Sequence, residues 1–302
     1  MKIYINNLSE DWVVDRFRKE WYYYNSNEIV NNLFSANILW LIAPWTFNMR
    51  LLKLFPKKKV VYSAYHFEDD KLKQELDYIK KIDPFIDCYH TISKETKNQL
   101  EKITDKDVHY IPFWIDPNIW FEIKDKSNLY EKYNLNPKNY FIGSFQRDSL
   151  RKDPNLPKLI KGPDIFLKNI IMFRKEHPNL EVLLSGRKRR FLINELEKNK
   201  IPYKYFEMAS QNEINELYNC LDLYIISSRK EGGPQAVTEC GITNTPLIST
   251  NVGMVEDFLH PESIYQNNAL LAKPHNDYLL KKIEKLILPQ GFDNFFNMFD
   301  SI

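Results

Sequence analysis

The most constraining feature of this sequence is the alternation of short apolar runs with longer amphipathic stretches along almost the whole chain. Short apolar runs are typical of buried strands, and the amphipathic stretches between them are typical of crossover helices. The alternation therefore predicts an α/β protein with parallel sheets. In the first half, strands are predicted at Lys2–Ile5, Ile38–Ala43, Val60–Ala64, Cys88–Ile92 and Val108–Ile111.

A second alternating series begins at Tyr140 and predicts another sheet. Between the two series, prolines interrupt a polar stretch, and Asp125–Asn139 has few apolar residues at any regular period, which predicts a connection. A chain of 302 residues suits two α/β domains, predicted at 1–124 and 140–288. The second series predicts helices at Pro163–Glu176, at Arg189–Lys198 and from Ser210, and strands at Tyr140–Gly143, Leu180–Ser185, Tyr203–Phe206 and Leu223–Ile226.

The charge balance excludes a broad electrostatic attraction to nucleic acid. The 42 basic and 40 acidic residues leave a net charge of +2, so any basic site must be local. The cysteines Cys88, Cys220 and Cys240 are far apart and outside any metal spacing, which predicts buried thiols in a reducing compartment. Without an apolar signal segment after Met1 or a stretch long enough to cross a bilayer, we expect a cytoplasmic protein.

The segment from Glu231 to Gly241 carries the most chemistry. It follows a predicted strand, contains two glycines and Pro234, and continues into a helix. A helix start with preceding glycines can hold a phosphate, because its N–H groups are unpaired and the ligand can approach the backbone closely. This feature alone does not identify a phosphate site, since helices begin after glycine-containing loops in every α/β fold.

Two glutamates in this segment narrow the interpretation. Glu231 and Glu239 are eight positions apart, which corresponds to roughly 12 Å along a helix. A glycosidase pair acts on one linkage from about 5 to 9.5 Å apart, so this spacing does not suit that chemistry. Two carboxylates so placed would bracket an extended ligand such as a nucleotide sugar, with its pyrophosphate in the middle.

The same residues resemble a known family. Glu231–Glu239 matches the E-x7-E motif of retaining GT-B glycosyltransferases, and the surrounding sequence from Leu217 to Glu256 is similar to glycosyltransferase family 4. The resemblance implies two Rossmann-like domains that face each other across a cleft. It also implies that Glu231 contacts the donor sugar and Glu239 the ribose, with the pyrophosphate between them at Gly232, Gly233, Pro234, Gln235 and Ala236.

A second match lies at the start of the C-terminal domain. Ile142–Arg147 and Lys161–Asp164 resemble the elements that place cations on the diphosphate. The family usually has arginine directly after the glycine, whereas this chain has Ser144, so the cationic role is assigned to Arg147 together with Lys161. Ser144 remains a donor-binding candidate.

Further candidates come from the ends of other strands. Arg187–Arg190 is a basic run that is typical of a solvated face or a nucleic-acid patch, and Arg187 could also edge the nucleotide pocket. Met208 lies where the family commonly reads the base. In the N-terminal half, His66 resembles the histidine that faces the cleft and is a catalytic candidate, although lone histidines are often structural. The family's glycine-rich first loop is replaced by Asn6–Glu10.

The final segment, 289–302, has four phenylalanines at helical spacing: Phe292, Phe295, Phe296 and Phe299. In GT-B proteins a helix at this position often crosses back onto the first domain. The charged run Glu68–Asp70 is a poor metal motif, so we expect no metal and no cofactor. The resemblance implies a UDP- or GDP-sugar donor and a glycan or glycolipid acceptor in polysaccharide biosynthesis, with peripheral contact at the inner face of a membrane. Two alternatives stay open: a GT-B epimerase or phosphorylase, and a non-catalytic nucleotide-sugar-binding module.

Overall fold

The computed structural model describes residues 1–6 and 13–302. It divides the chain into two compact units. The first unit comprises Met1–Phe113 and Gly291–Ile302, and the second comprises Trp114–Gln290. Within the described residues, no helix has the length and apolar character needed to span a bilayer.

The strands follow the apolar runs of the sequence. Those of the first unit are β1 (Ile3–Ile5), β2 (Ile38–Leu41), β3 (Lys59–Ala64), β4 (Cys88–Thr91) and β5 (Asp107–Tyr110). Those of the second unit are β6 (Tyr140–Ser144), β7 (Leu180–Ser185), β8 (Tyr203–Phe206), β9 (Leu223–Ile226), β10 (Leu247–Thr250) and β11 (Ile264–Tyr265).

Helices occupy most of the amphipathic stretches. The α-helices are α1 (Val13–Tyr24), α2 (Leu72–Ile82), α3 (Lys94–Leu100), α4 (Ser127–Lys132), α5 (Pro163–Glu176), α6 (Arg190–Lys198), α7 (Gln211–Asn219), α8 (Ala236–Ile242), α9 (Val255–Phe258), α10 (Asn276–Ile283) and α11 (Asp293–Asp300). The helix predicted from Ser210 is confirmed as α7, and it begins with a capping box: the Ser210 hydroxyl accepts from the Glu213 amide while the Glu213 carboxylate accepts from the Ser210 amide.

The first unit is built on a parallel sheet in the order β1-β2-β3-β4-β5. Its aromatic core includes the last segment of the chain, since Trp21 contacts Phe292, Phe295 and Phe299. Beside this cluster, a buried chain of hydrogen bonds runs from Trp40 through Ser63 to His90 and the Ile111 carbonyl. Burial lowers the pKa of His90 to about 4, so the ring is neutral at pH 7.

The second unit is built on a parallel sheet in the order β11-β10-β9-β6-β7-β8. It begins earlier than the predicted connection at Asp125–Asn139. Ile115 exchanges backbone hydrogen bonds with Leu286 and Leu288, at 2.9 and 3.0 Å. Within the predicted connection, α4 forms and its Leu129 is buried in the core of this unit. The stretch is thus part of a domain, because partners distant in sequence cover its few apolar side chains.

The three thiols are buried, as predicted. Burial raises the pKa of Cys88 and of Cys220 to about 12. These cysteines therefore behave as small apolar side chains of the core rather than as reactive thiolates.

Candidate functional site

Two connections meet at the carboxyl edge of the second sheet. β6 and β9 are adjacent and parallel, with Ile142 opposite Leu223. Because both strands end at the same edge, the connection after β6, Phe145–Gly162, lies beside the connection after β9, Ser227–Gln235. Most predicted donor-site residues are in these two segments or on the helix α8 that follows, whereas Ser144, Arg187 and Met208 lie at the ends of β6, β7 and β8.

An ion pair joins these two connections. The Lys161 ammonium lies 2.6 Å from each carboxylate oxygen of Glu231. The Ser228 hydroxyl is 2.8 Å from one of the same oxygens, and the Gln146 amide donates to the Lys161 carbonyl at 3.0 Å. The Lys161 side chain is 23% exposed and that of Glu231 10%, so the pair is largely shielded yet open to solvent on one side.

Glycine allows the connections to approach this closely. Gly162 has φ +60°, and a Cβ there would lie 1.7 Å from the Ser227 carbonyl oxygen. Gly253 has φ +58°, and its Cβ would lie 2.1 Å from the Gly232 carbonyl oxygen. Both clashes are with backbone, which cannot move aside as a flexible side chain can. The Lys-Gly pair at 161–162 therefore positions the ammonium through a backbone shape that only glycine adopts without strain.

Arg229 also fixes the connection after β9. Its guanidinium makes two bonds to the Asp164 carboxylate, at 2.8 and 2.6 Å, and a third to the Leu159 carbonyl. The paired fork is the strongest geometry for a carboxylate. Arg229 thereby holds the β9 connection against the start of α5, next to Lys161.

Glu239 lies on α8 and is 8% exposed. The Tyr218 hydroxyl on α7 donates to its carboxylate at 2.9 Å. Burial, and next the charge of Glu239, raise the pKa of Tyr218 well above its usual value. The phenol therefore stays protonated and orients the Glu239 carboxylate.

The basic run at Arg187–Arg190 is not a uniform solvated face. Arg189 is fully buried, with its Nε 2.8 Å from an Asp148 oxygen and its Nη2 donating to the Ser144 hydroxyl at 3.1 Å. Helix α6 begins at Arg190, so Arg189 precedes it, and the predicted helix at Arg189–Lys198 is one residue too long at its start. Burial lowers the pKa of Arg189 and raises that of Asp148, so desolvation outweighs the attraction between the two groups.

The remaining cations of this edge share one region. Desolvation, and next the positive charges of Arg147, Arg151 and Arg187, lower the pKa of Lys188. Arg147 is half-buried. Arg187 lies 3.1 Å from the sulfur of Met208, which is exposed. The structure thus groups Arg147 with Arg187 and Met208, while Lys161 is paired with Glu231.

The candidate of the first unit, His66, follows β3 and is half-buried. The predicted replacement for a glycine-rich loop, Asn6–Glu10, lies outside the described residues except for Asn6. That side chain donates to the Ala43 carbonyl at 2.8 Å and to the Thr46 hydroxyl at 2.9 Å. Asn6 thus ties the end of β1 to the loop after β2.

Several residues that build the site have no role that the sequence predicts. Ser228 and Tyr218 belong to the sequence that resembles the family. Their hydrogen bonds to Glu231 and Glu239 could not be predicted from that resemblance. Gln146 and the Asp148–Arg189 pair gave no local signal, because their partners are distant in sequence.

The residues of this candidate site lie within a region that matches a known protein family. A model of the family described as "Glycosyl transferases group 1" matches residues 126–294, more than half of the chain. That range contains the Lys161–Glu231 pair and Glu239. A search of curated proteins gives no match.

Solved structures share the fold of the whole chain. HepE from Anabaena, in complex with UDP and glucose, aligns with a TM-score of 0.74 at 10% identity, over 100% of this chain and 99% of its own. Sucrose-phosphate synthase from Thermosynechococcus elongatus aligns with a TM-score of 0.69 at 12% identity, over 98% and 82%. A glycosyltransferase from Rickettsia africae aligns with a TM-score of 0.64 at 14% identity, over 98% and 82%. At these identities the likeness shows the fold, which is GT-B, with two Rossmann-like domains.

Proposed function

The chain belongs to the group 1 glycosyl transferases, and on this premise we propose that it is a retaining enzyme of the family 4 type. It would transfer a sugar from a nucleotide-sugar donor to a hydroxyl acceptor. The observation on which the proposal rests is the Lys161–Glu231 ion pair. It lies directly before the helix α8 that contains Glu239. A cation held on one carboxylate, with the helix start and a second carboxylate following in the chain, suits a ligand with hydroxyls at both ends and a diphosphate in the middle.

Each side chain takes one part of the donor in this proposal. Glu231 accepts hydrogen bonds from the hydroxyls of the transferred sugar, and Glu239, oriented by Tyr218, accepts them from the ribose. The backbone N–H groups of Gly232, Gly233, Gln235 and Ala236 would face the diphosphate. Lys161 is already held at this position by Glu231 and Gln146. It therefore needs little rearrangement to contact a phosphate oxygen.

The chemical step is a substitution at the anomeric carbon. The bond from that carbon to the diphosphate breaks, a bond to the acceptor oxygen forms on the same face, and the acceptor proton leaves with the nucleoside diphosphate. Negative charge grows on the departing phosphate. Preorganised positive groups stabilise that charge most effectively, and Lys161 with Arg147 is assigned this role. Because side chains would supply the charge, we propose that no metal is required, and full activity in excess chelator is the expected result.

Three further assignments complete the proposal. Uracil is the first candidate base, since the HepE structures contain UDP or UDP-glucose, and Arg187 and Met208 would edge the base. Ser144 would act indirectly, through the Arg189 side chain that it contacts. His66 would face the acceptor from its own unit.

The acceptor is proposed to be a glycan or glycolipid, reached by peripheral contact with a membrane. Residues 29–67 contain no Asp or Glu but five Lys or Arg. Within this stretch Phe34 is 80% exposed and Leu54 69%. Exposed apolar side chains among cations suit an anionic bilayer surface. Co-sedimentation with vesicles containing anionic lipid, compared with neutral vesicles, tests this contact.

The experiment for the function itself is a thermal-shift panel of UDP, GDP, ADP, TDP and CMP with their sugars. A ligand that binds only the folded state raises its apparent stability, by about 2.7 kcal/mol at a concentration of 100 Kd. One nucleoside diphosphate and its sugar should raise Tm, and the stabilising donor should then be consumed in the presence of an acceptor. If no member of the panel shifts Tm, the donor-site proposal is wrong.

Consumption of the donor also separates the alternatives. A transferase forms a new glycoside and releases nucleoside diphosphate in equal amounts. An epimerase would change the sugar while it stays on the nucleotide, and a phosphorylase would need inorganic phosphate. A binding module would shift Tm with no turnover.

A further inference from the structure

Two histidines and a glutamate converge at the opposite edge of the second sheet. His260 and Glu262 precede β11, and His275 precedes α10. Because all strands of this sheet are parallel, the start of β11 lies at the amino edge, whereas the donor site lies at the carboxyl edge. This group, the His260–Glu262–His275 cluster, is therefore independent of the proposed function.

The ligand atoms of the cluster are close together. His275 Nε2 lies 2.8 Å from Glu262 Oε2, and His260 Nδ1 lies 4.0 Å from the same oxygen. One ligand atom from each of the three residues falls within 4.8 Å of the other two. The two imidazole rings lie side by side, with centroids 4.0 Å apart. For bonds of about 2.0–2.1 Å in a tetrahedral site, neighbouring ligand atoms lie about 3.3 Å apart, a value between the two measured distances.

The backbone holds the cluster in place. The Lys273 amide donates to the Glu262 carbonyl at 2.8 Å, and the Ser263 hydroxyl donates to the Lys273 carbonyl at 2.7 Å. These bonds fasten the turn before β11 to the segment that leads to His275. Little chain entropy would then be lost when a ligand joins the two segments.

We infer that the His260–Glu262–His275 cluster binds a divalent transition metal of the Zn²⁺ class. Two imidazole nitrogens and one carboxylate oxygen suit such an ion, whereas Mg²⁺ and Ca²⁺ prefer oxygen ligands alone. The metal takes the place of the proton between His275 and Glu262. It also replaces the 3.3 Å hydrogen bond that His260 Nδ1 accepts from the Glu262 amide. Solvent fills the remaining position, since the side chains are partly exposed.

Neighbouring charges shape the expected affinity. The Glu262 side chain is 57% exposed, and an exposed carboxylate is ionised at pH 7.5, so it can bind a cation without first losing a proton. Lys273 adds positive charge nearby, which opposes a metal ion. Binding must therefore arise from direct ligand bonds rather than from a long-range field.

The test is calorimetric titration of the tag-free, chelator-treated full chain with Zn²⁺ alone at pH 7.5. The wild type should bind one ion per chain. His275→Ala, His260→Ala and Glu262→Gln should each weaken binding by at least about tenfold, a loss that even outer-sphere partners of a metal cause. His177→Ala is the matched control, because that histidine is also half-buried but stacks on Tyr140 instead.

Two results would overturn the inference. One is the absence of saturable Zn²⁺ binding to the wild type. The other is binding that the cluster variants leave unchanged, which would place the ion elsewhere. Melting temperatures measured without Zn²⁺ show whether each variant is folded. If an alanine variant is not folded, Glu262→Gln still tests the site, because glutamine keeps the shape of the glutamate side chain.

Discussion

Replacing Glu231 by glutamine is expected to separate the binding of a nucleoside diphosphate from that of its sugar. Both carboxylate oxygens of Glu231 lie 2.6 Å from the Lys161 ammonium. Glutamine keeps nearly the same shape and can still accept from Ser228, but it carries no charge. Lys161 then loses its counter-ion and is left to contact the phosphates alone.

The magnitude follows from the geometry of the pair. Two unit charges 2.6 Å apart attract by about 6 kcal/mol at an effective dielectric constant of 20, and desolvation offsets most of this. A hydrogen bond to a charged group contributes about 1.5–3 kcal/mol net. The free energy that the sugar adds to nucleotide binding should therefore shrink by about 1.5–3 kcal/mol in Glu231→Gln. The affinity for the diphosphate alone should stay equal or increase, by up to about tenfold.

The assay is calorimetric titration with UDP and with UDP-glucose, or with the pair that the panel identifies. Lys161→Met is the informative partner variant, because it should weaken both ligands alike. Glu231→Gln should weaken only the nucleotide sugar and abolish transfer. Equal losses of UDP and UDP-glucose affinity in Glu231→Gln would refute the assignment of Glu231 to the sugar.

Three further predictions concern the fold. The unfolding free energy should fall by about 1.4 kcal/mol per pH unit as pH drops from about 6.5 toward 4, because the unfolded chain binds a proton that buried His90 does not. Urea titrations at pH 7 and 5 should show a smaller fall for His90→Gln than for the wild type, and an equal fall would contradict this. Gly162→Ala should lower Tm and donor affinity together, since its Cβ would meet the Ser227 carbonyl; unchanged values would mean that the approach is not needed. Phe295→Ala should destabilise the first unit by about 3–5 kcal/mol in denaturant titration, whereas a loss below about 1 kcal/mol would show that the last segment adds little to that core.

The strands and the start of α7 could be predicted because their signals are local. Apolar runs such as Leu180–Ser185 and Leu223–Ile226 became buried strands with the predicted bounds. The helix predicted from Ser210 begins directly after it, and the Ser210 side chain caps its first turn. In each case neighbouring residues contain the whole signal.

The limits of the second unit depend on contacts that no local pattern contains. Asn215 and Asn219 on α7 accept hydrogen bonds from the amides of Phe121 and Ile123. These bonds attach the segment before Asp125 to the second unit. A polar stretch with few apolar residues predicts a linker, but here distant partners satisfy its backbone.

The buried Arg189 shows the same limit within the site. A run of four basic residues predicts solvent exposure, since each charge is costly to bury alone. Arg189 is buried because Asp148 and Ser144, both from the connection around β6, meet its guanidinium. Which member of the run is covered could be known only from the fold.

The most direct test of the account compares two glutamates of equal burial. Glu239 and Glu181 are both 8% exposed, but Glu239 lies on α8 beside the proposed donor site, whereas Glu181 lies near the amino end of β7. Calorimetric titration with the stabilising nucleoside diphosphate should show a loss of about 1.5–3 kcal/mol, or roughly 10- to 150-fold, for Glu239→Gln. Glu181→Gln should bind like the wild type. Wild-type affinity in a folded Glu239→Gln variant would contradict the placement of the nucleotide at this edge.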